Sequence, residues 1–360
     1  MPADGRIRVA VLFGGRSGEH AVSCLSAASV MAHLDRDRFT AVPVRIDRDG
    51  LWAVDVDDPD SYAAGGAAAL EALEQLLPAP STTLVGSMLA GIEALRSCDV
   101  VFPALHGPFG EDGTLQSCLA FAGVPYVGCG VLSSALAMDK VRTKALLAVA
   151  GLTVADSVVL RDDAVDVDPE VRERLGLPVF VKPVRGGSSL GVSRVERWAD
   201  LPAAVVEAQR SDPVVLVEAA VTGREIDIGV LELPNGGLAV SPPLEIHVPE
   251  GGLFDFHAKY SDPATRFEVP AALDLATFDR MRAQARTAFD ALGCAGLLRV
   301  DFFLRPDGTL VLNEVNTFPG FTAASQYPRM WQAAGIGYRE LLDMLVDTAL
   351  VRSVRPRQPA

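Results

Sequence analysis

Short apolar runs alternate with helical stretches of small residues through the first third of the chain. Residues 8–13 (RVAVLF) predict a strand, the glycine-rich loop 14–20 (GGRSGEH) follows, and an Ala/Ser-rich helix is predicted over 21–34. A second strand is expected at 40–46. A strand at 100–104 leads into the loop 106–113 (HGPFGEDG), a helix from Thr114 and a strand-like stretch at 124–130 (VPYVGCG). This succession is the rhythm of an α/β unit. Between its halves, residues 55–80 carry acidic residues, an Ala run and two late prolines, and read as a surface excursion.

The pattern then changes. Residues 133–151 (SSALAMDKVRTKALLAVAG) read as one helix stopped by Gly151, with Lys140 and Lys144 at i and i+4. Strand signals follow at 158–160, 179–182, 192–195 and 214–218. A Gly/Ser loop, 183–191 (PVRGGSSLG), joins the second to the third; such a loop offers unhindered N–H and hydroxyl donors that suit phosphate. Lys182 stands at its entrance, and Glu218 ends the last of these strands. Residues 253–262 (LFDFHAKYSD) lack periodicity and predict an ordered loop or lid. Residues 274–292 form an amphipathic helix, 338–351 another, and the Arg/Pro-rich tail from 352 is expected to fray. The expected division is 1–138, 139–237 and 238–360.

Residues 297–327 contain two strands joined by a Pro-Asp-Gly-Thr turn. Asp301 lies on the first, while Glu314 and Asn316, two apart, share one face of the second. Three oxygen-bearing side chains without His or Cys suit Mg²⁺ or Mn²⁺. A solvated hairpin is the alternative, and the apolar neighbours argue against it, because carboxylates buried without a cation are costly.

Composition narrows the classes. With 360 residues and 49% hydrophobic content, the chain can bury a large core. It shows no run long enough to span a bilayer and opens directly into a strand, so a cytoplasmic location is expected. The five cysteines form no CxxC pair and read as free thiols, and a net charge of −14 argues against nucleic acid or an acidic membrane as partner. GxxxxGK[ST] is absent, as is a kinase HRD and DFG set. Residues 187–191 (GSSLG) do match the GxSxG elbow of serine hydrolases, with Ser189 as nucleophile and His247 or His257 as base. That elbow requires a helix directly afterwards, and 192–195 reads as strand.

Taken in order, GGRSGEH, LHGPFGEDG, MDK with a second Lys, VKPVRGGSSLGVSRV, AKY, LLRVDFFL and LNEVNTFPGFT resemble the ATP-grasp ligases. More narrowly, they resemble D-alanine–D-alanine ligases and their D-lactate- and D-serine-using relatives, from about residue 8 to 350. The resemblance implies an α/β (α+β) class: a three-domain ATP-grasp fold, with an N-terminal parallel α/β domain and two antiparallel-sheet domains enclosing ATP. It implies ligation of two D-alanines through an acyl phosphate for peptidoglycan precursor synthesis, with ATP and D-alanine as small-molecule partners, two Mg²⁺ ions replaceable by Mn²⁺, and a homodimer.

By position, Lys140 and Lys182 match the phosphate-contacting lysines, and Ser188 with Ser189 the tip of the phosphate loop. Glu218 and the Val221 backbone match the adenine contacts, and Glu225 the ribose contact. Asp301, Glu314 and Asn316 match the metal ligands. Glu19 matches the anchor for the first substrate's ammonium and, with Ser188 and Tyr260, a latch on the lid. Arg299 shares the face of Asp301 and reaches the phosphoryl group and later oxyanion, with the Gly320 N–H as a second donor. Ser325 matches the residue that holds the second substrate's carboxylate, with Lys259 as counter-charge and His106 assisting the amine. Gln326 departs from the family's usual Leu or Met, while the lid Tyr is kept. An ester-forming or D-serine-accepting ligase therefore stays open as the alternative.

Overall fold

β1 (Ile7–Gly14), buried from Val9 onward, is the centre from which the N-terminal sheet grows. It pairs in parallel with β2 (Phe39–Ile46) and β4 (Val100–Pro103), and β3 (Trp52–Val54) adds an antiparallel edge to β2. An apolar run with no alternation is what a strand covered on both faces requires. The covering helices are α1 (His20–His33), α2 (Pro59–Ala63), α3 (Leu84–Arg96) and α4 (Thr114–Ala122). The computed structural model describes residues 5–63, 83–248 and 265–354. No helix among them is long and apolar enough to cross a membrane.

Three expectations in this region need correction. Residues 124–130 form no strand; they make a single bridge, Val101 to Tyr126, because Pro125 has no N–H to give and Gly128 turns the chain at φ +95°. The helix expected over 133–151 is two, α5 (Val131–Met138) and α6 (Lys140–Val149). Asp139 breaks it: its backbone is extended at ψ 99°, and its carboxylate accepts the Arg142 N–H at 3.0 Å as an N-cap. The excursion at 55–80 begins as a docked segment, with Asp55 paired to Arg45 at 3.3 Å and the Tyr62 ring in the core; residues 64–82 lie outside the described residues.

The second sheet is antiparallel, in the order β5 (Ser157–Leu160), β8 (Val215–Ala219), β6 (Val179–Pro183) and β7 (Ser193–Val195), backed by α7 (Pro169–Leu175) and α8 (Leu201–Gln209). The third is also antiparallel: β12 (Arg266–Glu268), β11 (Leu244–His247), β9 (Arg224–Glu232), β13 (Leu297–Leu304) and β14 (Leu310–Asn316), with β10 (Leu238–Val240) on β9. Since β9 is a central strand of the third sheet, sheet membership changes between Ala219 and Arg224, ahead of the 237/238 division expected from the sequence. α9 (Leu275–Ala291) buries Met281, Ala285, Ala288 and Phe289 against this sheet, on the face its periodicity predicts.

α10 (Gln326–Ala333) and α11 (Tyr338–Val354) tie the third sheet to the first. Phe318, Phe321, Tyr327 and Trp331 share one apolar cluster with Val9, Phe13 and Phe102, and the Phe102 ring meets those of Phe318 and Phe321 edge-on at 5.5 Å. That packing holds the loop 317–325 against the ends of β1 and β4.

Candidate active site

The ends of all three sheets open onto one cavity of about 1020 Å³. Its walls include Glu19 and His106 from the first unit, and Lys140, Lys182, Ser188, Ser189, Glu218 and Val221 from the second. Glu225, Arg299, Glu314, Asn316, Gly320, Ser325 and Gln326 come from the third. Of the site residues expected from sequence and present among the described residues, only Asp301 does not line it; it lies 4% exposed behind Arg299. Residues 253–262, expected from the sequence to form a loop or lid and carrying Lys259, Tyr260 and His257, fall outside the described residues.

Glu19 precedes α1, is buried, and accepts a hydrogen bond from the Ser188 hydroxyl, which joins the first unit to the Gly/Ser loop. Two glycines let this happen. A Cβ on Gly107 would run into Glu19 Oε2, and one on Gly187 would stand 2.5 Å from the same oxygen. Ser188 and Ser189 both have positive φ (49° and 58°), and β7 follows after Val192, so the strand–helix elbow that a Ser189 nucleophile needs is absent.

Lys140 donates to the Gly186 carbonyl at 2.6 Å and so pins the base of the loop. Glu218 sits between two lysines: Lys182 at 2.6 Å, and Lys144, which the sequence reading left without a role. Burial alone would neutralise all three groups. Against it, the two ammonium groups hold the Glu218 carboxyl below its usual value, and Glu218 with Glu314 and Glu225 holds Lys182 above its own. Lys144 is lowered, because burial and the Lys182 charge outweigh Glu218.

On the third sheet, Asp227, Asp301 and Glu314 stand directly opposite one another on β9, β13 and β14, and Arg299 stands opposite Asn316. One face therefore carries all five. Arg299 donates to both oxygens of Asp301 at 2.7 Å each, and the Asn316 amide donates to Asp301 at 3.0 Å. Burial opposes the Arg299 charge, but Asp301 and Asp227 outweigh it and raise its pKa further. Two carboxylates and an amide oxygen, with no nitrogen or sulfur donor, form a set that fits Mg²⁺ or Mn²⁺, and Glu314 and Asn316 border the cavity.

The side of the cavity lined by His106, Gly320 and Ser325 is braced. The His106 Nδ1–H donates to the Phe318 carbonyl at 3.0 Å while Nε2 accepts from the Ser26 hydroxyl at 2.9 Å, and burial lowers the ring's pKa against the pull of Glu19. Ser325 caps α10 by position, with its Oγ 2.8 Å from the Thr322 hydroxyl. Gly320 N–H makes no hydrogen bond among the described residues.

Glu111 is a further wall residue that sequence reasoning passed over, although the HGPFGEDG loop contains it. It accepts the N–H groups of Gly107 (2.8 Å) and Phe318 (3.1 Å), linking two loops. Burial first, and the Glu19 charge second, push its pKa up to about 8. The folded protein thus keeps a proton on Glu111 that the unfolded chain releases above about 4.5. This group's contribution is fully present below that value and is lost as pH rises toward 8. Glu111→Gln is expected to flatten the decline: between pH 5 and pH 8.5 its unfolding free energy in urea should fall less than the wild type's, by about 1 kcal/mol or more, discounted for solvent in the cavity. Equal slopes would contradict it.

Residues 8–129 match the family D-ala D-ala ligase N-terminus, and residues 146–347 match D-ala D-ala ligase C-terminus. A D-alanine–D-alanine ligase of Mycolicibacterium smegmatis is 52% identical, covering 97% of this chain and 96% of its own. The VanG D-Ala:D-Ser ligase from Enterococcus faecalis superposes with a TM-score of 0.79 at 35% identity, covering 96% of this chain and 99% of its own. A D-alanine–D-alanine ligase from Bacillus anthracis complexed with ATP gives 0.75 at 28% identity, over 96% and 98%.

Proposed function

This chain belongs to the D-alanine–D-alanine ligase family, and from that premise we propose how its own residues divide the work. It is an ATP-dependent ligase of the ATP-grasp fold that joins two D-alanines. A carboxylate is a poor electrophile at neutral pH, so the reaction passes through an acyl phosphate formed from the first D-alanine and the γ-phosphoryl group of ATP. The supporting observation is the shared cavity. It joins the phosphate-loop wall (Lys140, Lys182, Ser188) to the amino-acid wall (Glu19, Ser325), with Arg299 and Glu314 in the same lining.

In this reading Glu19 takes the ammonium of the first D-alanine, and its bond to Ser188 makes occupancy and loop position one event. Lys182 turns from Glu218 to the phosphates, leaving Lys144 to keep Glu218 ionised for the adenine amino group; Val221 and Glu225 complete the nucleoside wall. Asp301, Glu314 and Asn316 hold the divalent cations, which supply charge neutralisation for the transferring group. Arg299 and the Gly320 N–H face the oxyanion. Ser325 receives the second carboxylate. His106, with both ring nitrogens engaged, holds the Phe318 loop in place instead of taking a proton from the amine.

One expected result tests the latch. Gly187→Ala should raise the KM for D-alanine roughly tenfold, because the added methyl meets Glu19 Oε2, and leave the KM for ATP within about twofold. An unchanged KM for D-alanine would remove the latch. The substrate assignment is tested by supplying ATP, Mg²⁺ and D-alanine, alone or with D-serine or D-lactate, and reading products by mass spectrometry. D-alanyl-D-alanine should dominate every mixture; a mixed product in excess would assign the chain to the D-serine- or D-lactate-using relatives.

A further inference from the structure

Gln326 and Asp227 form a closed ring with Arg299. The Gln326 carbonyl accepts from Arg299 Nη1 at 3.0 Å, the Gln326 amide N–H donates to Asp227 Oδ2 at 2.8 Å, and that oxygen lies 3.4 Å from Arg299 Nε. The amide has one chemically sensible orientation here, since the reverse would put its N–H groups against a guanidinium and its oxygen against a carboxylate. Asp227 is 1% exposed on β9, opposite Asp301. The position on β9 opposite Arg299 itself is Gly229, where a Cβ would stand 3.0 Å from the Tyr327 ring. Asp227 is therefore the side chain that β9 supplies to Arg299.

We propose that Asp227 and Gln326 are the positioning residues of Arg299, and that the Gln326 side chain serves this ring and does not select the second substrate. The proposal rests on the ligase reading and deepens it. Arg299 has to hold one orientation while charge moves from the carboxylate to the phosphoryl group and then to the oxyanion. Asp301, its bidentate partner, is shared with the cation site and with Asn316. Asp227 has no place in that set, so its charge, 3.4 Å from Arg299 Nε, holds the guanidinium from a second side that the cation site does not share. Gln326 opens α10 directly after Ser325, so the ring also couples the strand that bears Arg299 to the wall expected to hold the second carboxylate. With its oxygen on Arg299 and an N–H on Asp227, the amide is committed. Changes at 326 then act on turnover more than on the choice among D-alanine, D-serine and D-lactate.

A swap experiment tests this with the full-length protein. Asp227→Asn and Gln326→Glu are each expected to lower kcat by about tenfold or more while the KM for ATP stays within about threefold. The first takes a carboxylate from Arg299; the second sets a carboxylate against Asp227. The double variant Asp227→Asn/Gln326→Glu again presents one carboxylate and one amide to Arg299, and should recover kcat to within about threefold of wild type. Product ratios with D-serine or D-lactate competing should stay at the wild-type value in all three. Urea unfolding of each protein separates positioning from folding. Losses that multiply in the double variant, losses seen in unfolding with kcat unchanged, or a shifted product ratio would overturn the proposal. If the wild type itself releases no phosphate from ATP with D-alanine, the ligase reading fails and the proposal with it, a result read in the wild-type arm alone.

Discussion

Glu314→Gln should lower ATP-dependent phosphate release with D-alanine by at least about a thousandfold, with the melting temperature changed by no more than a few degrees. The substitution keeps shape and removes one charge. Glu314 stands opposite Asp301 across β13 and β14, in the cavity wall and only partly buried, so the core does not depend on it. What depends on it is the local field: it is one of two carboxylates in the oxygen set, and also one of the anions that keep Lys182 charged. An amide oxygen in its place is a weaker ligand for a hard cation and leaves the lysine less supported. Steady-state phosphate release across a Mg²⁺ titration checks this; near-normal turnover would remove the metal assignment from this hairpin.

Arg299→Met is the second large effect, and it reaches the fold as well as the chemistry. In the native protein the guanidinium separates Asp227 and Asp301, which are 1% and 4% exposed and directly opposite on neighbouring strands. Methionine fills much of the volume and leaves two buried carboxylates facing each other. Breaking a buried ion pair from one side costs about 3–5 kcal/mol, far more than the volume change. Unfolding in urea should show a loss of that order. Phosphate release, measured at a temperature where the variant is folded, should fall by at least about a thousandfold as the oxyanion loses its charged donor. A variant within about 1 kcal/mol of wild type would show that the two aspartates find other partners.

How much of this was legible in the chain depended on the range of the interaction. β1 and the β13–β14 hairpin could be read, because a continuous apolar run and a Pro-Asp-Gly turn are local signals; the convergence of Asp301, Glu314 and Asn316 followed from the two-residue period of a strand. The Asp139 break is also local, but the apolar pattern runs through it unbroken and masks the capping preference of Asp. Lys144 shares a helical face with Lys140, which is a signal, but its partner Glu218 is on β8 and nothing in the spacing names it. Glu111 takes its role from the Phe318 N–H, 207 residues later, and Asp227 from Arg299 and Gln326 on other elements. The sheet to which β9 belongs was hidden for a related reason. Its run IDIGVLE suits either antiparallel sheet, and only the register against β13 decides.

Activation of a carboxylate by phosphoryl transfer inside this cavity is the central step, and an isotope experiment reads it directly. With D-alanine labelled with ¹⁸O in its carboxylate, ATP and Mg²⁺, the inorganic phosphate released should carry one ¹⁸O for each dipeptide formed, because the oxygen that accepts the γ-phosphoryl group leaves with it. Phosphate released without label while dipeptide accumulates would contradict the account.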